Sequence, residues 1–239
     1  MLPTWMYARG PDSIYVNLFA GSTITVEQVA GTDVQMVQAT EYPWKGSVSL
    51  TVNPKAPARF SLRIRVPNRG VSGLYTRSPE ANGIGTITVN GAAVKTVIDH
   101  GYAVVARAWK AGDVVRFELP LKVQRVRASE KIAATKGKVA LQYGPLVYNI
   151  EKVDQDITLA LAAGAALTSE WKPDLLGGVV AITGTFADGS RLMAIPNMVR
   201  YNRNPPPPPP PSTPPAQPGG QAVRPPPPPA TSIIWMMER

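Results

Sequence analysis

The segment RFSLRIRV (59–66) sets the fold class of this chain. Apolar residues occupy every second position, and arginine or serine occupies the positions between them. This period of two is typical of a β-strand that has one face on a core and the other in water. The segment therefore predicts a strand whose buried side chains are Phe60, Leu62, Ile64 and Val66.

The same alternation recurs along the chain. It is clear in SIYVNLF (13–19) and SVSLTV (47–52). Further candidate strands are 138–150, 157–161, 179–186, 192–201 and 231–237. No segment between residues 10 and 200 has a convincing helical period, so the short strands and their turns favour β-sandwich architecture.

Two turn signals divide the middle of the chain. Asn90-Gly91 lies between two β-prone runs and predicts a hairpin, because both turn positions need a positive φ angle. The turn KAGD (110–113) joins the runs 102–109 and 114–121 and predicts a second hairpin.

The composition changes sharply at residues 204–229. This tract holds fifteen of the 26 prolines, and proline cannot donate a hydrogen bond to a sheet. We predict a disordered, proline-rich surface loop of polyproline II character. Such segments also bind SH3-like domains, but no partner signal accompanies this one. The apolar segment 231–237 is predicted to return to a sheet as a final strand, since exposure would cost about 1.5–3 kcal/mol for each large side chain.

Together these patterns predict an all-β fold with two β-sandwich modules of jelly-roll type. The strand pattern pauses near Ser129. We therefore assign the first module to residues 9–127 and the second to 128–239, the latter with the proline-rich insertion and the final strand.

The composition excludes several kinds of chemistry. The chain has no cysteine and a single histidine, His100, which excludes disulfides, thiolate metal sites and a cysteine nucleophile. The net charge is +9, but the basic segment 122–138 has no aromatic residues to stack on bases, so we expect no nucleic-acid partner. The small apolar run 159–167 is far shorter than the roughly 20 residues that span a bilayer. We expect a soluble protein with no membrane partner.

Few residues are candidates for a functional site. Asp99-His100 has the composition of an acid–imidazole dyad, but its position beside a predicted hairpin favours a polar turn over catalysis. The turn EYPWKG (41–46) offers Tyr42 and Trp44 as carbohydrate-contact residues, because sugars stack on exposed aromatic faces. Alternatively, Trp44 closes the end of a sandwich. No residue is assigned a catalytic or metal-binding role.

Several stretches share their order with a known family. They are IYVNLFAGS (14–22), TEYPWKGSVSLTV (40–52), FSLRIRVPN (60–68), VNG (89–91), GYAVVARAWKAGDVVRFELPLKVQRVRA (101–128), GKVALQYGPLVYNIE (137–151) and AIPNMVRYNRN (194–204). In these stretches the chain resembles glycoside hydrolase family 127, the β-L-arabinofuranosidase family. The resemblance covers nearly the whole chain outside the proline tract.

The resemblance implies two β-sandwich modules that follow an N-terminal (α/α)6-barrel catalytic domain. In the family, cysteines and a glutamate of that barrel hold a zinc ion, and one cysteine is the nucleophile. An adjacent cysteine pair normally precedes a segment like LPTWMYA (2–8), and it is absent here. The resemblance therefore implies that residues 1–8 are a remnant of a preceding catalytic domain, that Met1 is an internal methionine, and that zinc belongs only to the missing domain.

The function implied is that of a non-catalytic C-terminal accessory region of a β-L-arabinofuranosidase-like hydrolase acting on plant-type arabinose-containing glycans. Its partner would be the missing barrel, and the chain alone would be inactive. Two alternatives remain open: a stand-alone carbohydrate-binding module, and a module that forms a homodimer. The N-terminus has no signal-peptide pattern, and the localisation stays open.

Overall fold

The computed structural model describes residues 3–68, 72–203 and 230–239. The predicted loop at 204–229 lies outside these residues. The described residues fall into two compact units: unit 1 lies within Met1–Gln124 and includes Tyr143–Pro145, and unit 2 lies within Arg125–Gln142 and Leu146–Arg239. The all-β class is confirmed. Among the described residues, no helix has the length and apolar character needed to cross a membrane.

Unit 1 is built from two sheets. Its elements are the short helix α1 (Pro3–Met6) and the strands β1 (Tyr7–Gly10), β2 (Ser13–Val16), β3 (Ser22–Val29), β4 (Thr32–Thr40), β5 (Ser47–Pro54), β6 (Ala58–Arg65), β7 (Tyr75–Ser78), β8 (Thr88–Val89), β9 (Ala92–Ala93), β10 (Val97–Asp99), β11 (Tyr102–Trp109) and β12 (Asp113–Glu118). Sheet A has the order β1-β2-β6-β11-β10, and sheet B has the order β3-β4-β5-β12-β8-β9. Neighbouring strands are antiparallel except β2 and β6, which are parallel.

The core of unit 1 lies between the inward faces of the two sheets. Phe60, Leu62 and Ile64 of β6 are at most 3% exposed, as the alternation in 59–66 predicts. Trp109 is fully buried; its ring stacks on Phe60 with centroids 5.8 Å apart, and its Nε1 donates to the Phe60 carbonyl oxygen at 3.0 Å. Apolar rows from two facing sheets make this unit a β-sandwich.

The two predicted hairpins have different outcomes. The hairpin at Asn90-Gly91 is confirmed: β8 pairs with β9, and the two turn residues have φ angles of 51° and 85°. The hairpin predicted over 102–121 is wrong, because β11 belongs to sheet A and β12 to sheet B. The connection crosses the sandwich since both of its ends are buried, Trp109 in the core and Asp113 under hydrogen bonds from Asn90 Nδ2 (2.8 Å) and the Lys110 amide (3.0 Å).

The N-terminal residues take part in sheet A. The strand β1 pairs Tyr7 with Val16 and Ala8 with Tyr15, although the resemblance assigns residues 1–8 to a preceding domain. Tyr7 is 7% exposed, and its hydroxyl hydrogen-bonds Ser22 Oγ at 3.0 Å. Trp5, just before this strand, is 71% exposed.

Unit 2 is also built from strands. Those in it or entering it are β13 (Val123–Ala128), β14 (Lys138–Tyr143), β15 (Leu146–Glu151), β16 (Thr168–Lys172), β17 (Val179–Thr185), β18 (Arg191–Pro196), β19 (Ser232–Ile233) and β20 (Met236–Met237), with short 3₁₀ helices at Ala133–Thr135 and Asn197–Val199. The sheet order is β16-β17-β18-β15-β14-β13, and β19 and β20 add to β15 and β14 respectively.

Several predicted strands of unit 2 take another form. Segment 138–150 forms the two strands β14 and β15, and segment 192–201 is a strand only as far as Pro196. Segment 157–161 forms only two isolated bridges, both at Leu161. The Asp156 carboxylate accepts from the Thr158 amide (2.8 Å) and hydroxyl (2.7 Å) and holds a turn before them. Segment 231–237 forms the two strands β19 and β20, each on a different partner strand, in place of one continuous strand.

Candidate functional site

The turn 41–46 is held by a local network of hydrogen bonds. The Trp44 amide donates to the Glu41 carbonyl at 2.8 Å, and Lys45 Nζ forms an ion pair with Glu41 Oε2 at 2.7 Å. The Thr40 hydroxyl accepts from the Tyr42 amide at 3.0 Å and donates to the Ser47 carbonyl at 2.7 Å. The turn is therefore fixed at the junction of β4 and β5.

The two predicted carbohydrate-contact residues are both half-buried. The Tyr42 ring packs edge-on against Phe19, with centroids 6.0 Å apart, and contributes to the margin of the core. Trp44 lies in the same turn. Neither ring lines the open groove next to the turn, whereas Glu41 and Lys45 do.

That groove lies on the outer face of sheet B and has a volume of about 660 Å³. Its floor is formed by the end of β4, the beginning of β5, the end of β12 and the region of β8. One row of paired positions crosses it: Ala39 opposes Ser49, Ser49 opposes Arg116, and Arg116 opposes Thr88. We call this feature the Arg116 groove. Small hydroxyl-bearing side chains surround one exposed guanidinium in it.

One end of the Arg116 groove is acidic. Glu118 follows Arg116 by two residues on the same face of β12, and Ser47 Oγ donates to Glu118 Oε2 at 2.7 Å. Gly46 leaves room for this carboxylate, since a Cβ atom there would lie 2.5 Å from Glu118 Oε1. The Gly46 carbonyl also accepts from the Leu119 amide at 2.9 Å. These hydrogen bonds hold the end of the turn 41–46 against the end of β12.

Asp99 is the last residue of β10, and His100 lies in the turn to β11 that the sequence indicates. Asp99 Oδ2 accepts from Arg63 Nη1 at 2.7 Å, and Asp99 Oδ1 lies against His100 Nδ1. The hydrogen bond from Arg63, and next that from His100, lowers the pKa of Asp99 below its ordinary value. The His100 side chain is 93% exposed. This arrangement is a surface ion pair that ties the edge strand β10 to β6.

Sequence reasoning missed the cluster around that ion pair on the outer face of sheet A. The Arg63 guanidinium lies over the Tyr15 ring at 5.5 Å, and Tyr15 meets Tyr102 edge-on at 5.3 Å. The Tyr102 hydroxyl donates to Asn17 Oδ1 at 2.8 Å. The alternation in 59–66 places Arg63 on the outer face, but the parallel pairing of β2 with β6 has no signal in the sequence.

The described residues do not fit a zinc site held by cysteines and a glutamate. The chain has no cysteine. Within residues 3–68, 72–203 and 230–239, no three His, Cys, Asp or Glu side chains are grouped to hold a metal ion.

Two family models match the chain in succession. The model described as the middle domain of GH127 beta-L-arabinofuranosidase matches residues 13–121. The model of the glycoside hydrolase family 127 C-terminal domain matches residues 123–207.

Known proteins give the same result. The chain is 33% identical over 187 residues to a non-reducing end beta-L-arabinofuranosidase of Bifidobacterium longum subsp. longum. This alignment covers 70% of this chain and 26% of that protein. A solved GH127 beta-L-arabinofuranosidase from Geobacillus stearothermophilus T6 aligns with a TM-score of 0.77 at 30% identity, over 100% of this chain and 35% of that one. A second solved GH127 beta-arabinofuranosidase gives a TM-score of 0.76 at 28% identity, over 84% of this chain and 35% of its own. The chain spans about a third or less of the length of these relatives.

Proposed function

The chain belongs to glycoside hydrolase family 127, and on this premise we propose that it is the non-catalytic C-terminal accessory region of a β-L-arabinofuranosidase-like hydrolase of plant-type arabinose-containing glycans. The observation that carries the proposal is the succession of the two family models over 13–121 and 123–207. The relatives are longer proteins, of which this chain matches 26% to 35%. The chemistry would therefore belong to the remaining part, the (α/α)6-barrel expected from the resemblance.

In this proposal the chain supports the catalytic domain without taking part in bond cleavage. The lack of cysteine leaves no counterpart for the family's nucleophile or for its thiolate zinc ligands. Zinc would be held by the barrel alone. The exposed Trp5, directly before β1, is a suitable side chain to pack on that preceding domain.

Activity measurements on the chain and on a relative test this proposal. The purified chain should release no arabinose from a synthetic β-L-arabinofuranoside. Deleting the matching region from the Bifidobacterium longum relative should lower the melting temperature of that enzyme, and a chimera that carries this whole chain in its place should recover it. Release of arabinose by the chain alone, free of contaminating enzyme, would contradict the proposal. So would a truncated relative that keeps its full stability and activity.

A second candidate is carbohydrate binding at the turn 41–46. It is favoured by the Arg116 groove, which has the size of a small-ligand site and is lined by Glu41 and Lys45 of this turn. Affinity electrophoresis on arabinose-containing polysaccharides tests it with the variant Trp44→Ala, which should migrate faster than the wild-type chain. Sedimentation of the chain separates both candidates from a homodimerisation module.

A further inference from the structure

Arg116 is a charged residue of the groove whose guanidinium has no ion-pair partner among the described residues. Its side chain is exposed in the middle of the Arg116 groove. Among the residues that the structure describes, it forms none of the ion pairs, whereas Lys45 and Glu41 of the groove pair with each other. The Glu118 carboxylate accepts a hydrogen bond from the neutral Ser47 hydroxyl and has no cationic partner among them. An arginine that presents its donors in a fixed fork and has no carboxylate to bind is suited to an external anion.

We propose that the Arg116 groove binds an acidic saccharide, with the carboxylate of a uronic acid residue on Arg116 and its hydroxyl groups on Ser47, Ser49 and Glu118. The guanidinium donates to the ligand carboxylate. The Glu118 carboxylate accepts from ligand hydroxyl groups, and the serine hydroxyls can donate or accept. The groove is therefore suited to a ligand that is anionic at one end and rich in hydroxyl groups at the other.

The spacing of these groups fits one sugar residue. Arg116 and Glu118 are two positions apart on the same face of β12, which places their Cα atoms about 7 Å apart along the strand. This is close to the distance between the carboxylate of a pyranose uronic acid and the hydroxyl groups across its ring. The row Ala39, Ser49, Arg116 and Thr88 provides a flat floor, since none of these neighbours of Arg116 has a bulky side chain.

The charges of the groove favour an acidic over a neutral sugar. Glu118 is turned toward Ser47 and Gly46, at the end of the groove that carries the turn 41–46. Glu41 is neutralised by Lys45 at that same end. Arg116 and Glu118 are thus the two charged groups of the groove outside any described ion pair, so the ligand carboxylate is expected on Arg116 and the ligand hydroxyl groups on Glu118. Phe117 also borders the groove but is only 5% exposed, so the affinity depends mainly on charge-assisted hydrogen bonds and weakens as salt is added.

The site lies within unit 1, so binding is measured on the 239-residue chain without any catalytic domain. The probe is tri-galacturonate, and the matched probe is its methyl ester, which keeps all of the hydroxyl groups and loses the charge. Amide shifts in a titration followed by nuclear magnetic resonance give both the affinity and the place of binding. We expect saturable shifts at Ser49, Thr88 and Arg116 with the acid, and at least about tenfold weaker binding of the ester.

Two substitutions complete the experiment. Arg116→Gln should weaken binding of tri-galacturonate at least about tenfold, because it removes the charge-assisted hydrogen bonds. Arg59→Gln removes the same charge from an exposed position on sheet A and should leave the affinity unchanged. The heteronuclear spectrum of each variant checks that it is folded.

Three results would overturn the proposal. They are equal binding of acid and ester, no saturable shift around Arg116, and equal loss of affinity in Arg59→Gln and Arg116→Gln. The last would mean that the ligand is held only by the net charge of +9. None of these results bears on the accessory role, which is tested by the stability of the truncated relative.

Discussion

Units 1 and 2 reach a closed β structure in different ways. The core cluster of unit 1 consists of buried side chains that all lie between Tyr7 and Leu119, in one continuous part of the chain. Unit 2 is completed by residues 230–239, which follow the proline-rich tract. The fold of unit 1 therefore depends mainly on the alternation of apolar side chains. The fold of unit 2 also depends on a segment distant in sequence, which must pair with β14 and β15.

Residues on both sides of the proline-rich tract are held at the end of β15. Glu151 is a buried residue at the end of β15, and its carboxylate accepts from the Tyr201 amide and from Arg203 Nη2, each at 2.7 Å. Directly beside it, the Lys152 amide donates to the Thr231 carbonyl at 2.9 Å, and Glu151 opposes Ser232 in the sheet. The residues on both sides of 204–229 are thus anchored at one point.

The last residues of the chain are held in the same way. Glu238 forms ion pairs with Arg125 and Arg127. Its neighbours Met237 and Arg239 exchange backbone hydrogen bonds with Leu161 at 2.8 and 2.9 Å. The difference between the units teaches that a segment separated by a long insertion can still complete a sheet, because loop closure costs only about 0.6 kcal/mol for each doubling of loop length.

The largest effect is expected from removing the final segment. Truncation after Asn204 deletes β19, β20 and Glu238, exposes the buried partners of Met236, and leaves Arg125 and Arg127 without their carboxylate. We expect unit 2 to lose its cooperative unfolding transition while unit 1 keeps its own. Calorimetry of the truncated and intact chains measures this.

A loop replacement provides the control for the truncation. Replacing 205–229 by a short Gly/Ser turn keeps the anchors of Arg203 and Thr231 on β15. The melting temperature should stay nearly unchanged. Equal stability of the truncated and intact chains would mean that unit 2 closes without residues 230–239.

The next effect concerns the apolar core of unit 1. Trp109→Ala leaves a cavity beside Phe60 and removes the donor to the Phe60 carbonyl, so the free energy of unfolding should fall by about 3–5 kcal/mol. Trp171→Ala, at a position of unit 2 that is 50% exposed, is the matched control and should cost far less. Chemical denaturation followed by tryptophan fluorescence and circular dichroism compares them. Similar losses in the two variants would contradict the contrast between the units.

The sequence predicts strands better than it predicts their partners. The rows of β5 and β6 and the Asn90-Gly91 hairpin follow from side-chain alternation and from local φ preferences, both of which act over a few residues. The sequence does not predict that β11 and β12 belong to different sheets, because the turn KAGD (110–113) is equally suited to a hairpin within one sheet. What decides it is the burial of Trp109 and Asp113 on opposite sides of that turn.

The candidate site has the same limit. Sequence reasoning selects Tyr42 and Trp44 because aromatic residues in a polar turn are visible in one short stretch. The Arg116 groove joins residues of four strands, from Ala39 to Thr88 and Arg116, which meet only once the order of sheet B is known. A lone arginine in the alternating run 114–119 gives no signal of its own.

The smallest effect is expected at the ion pair of Asp99. The hydrogen bond from Arg63, with that from His100, holds the pKa of Asp99 below 3.8 in the folded chain. A carboxyl whose pKa is lower in the folded than in the unfolded state stabilises the fold above the unfolded pKa, and this stabilisation is lost as the pH falls through the folded pKa. Asp99→Asn should therefore lower the melting temperature slightly at pH 7 and not at all below the folded pKa of Asp99.

Asp188 of unit 2 provides the control for the Asp99→Asn variant. In unit 2, the Ser190 hydroxyl and amide within one turn lower the pKa of Asp188. Asp188→Asn removes a contact that spans two residues, whereas Asp99→Asn removes a link between β10 and β6. If the ion pair holds the edge strand in place, hydrogen exchange of the β10 and β11 amides should accelerate in Asp99→Asn at pH 7 and stay unchanged in Asp188→Asn. Unchanged exchange in both variants would mean that backbone pairing alone retains β10, as expected for an exposed ion pair of negligible strength.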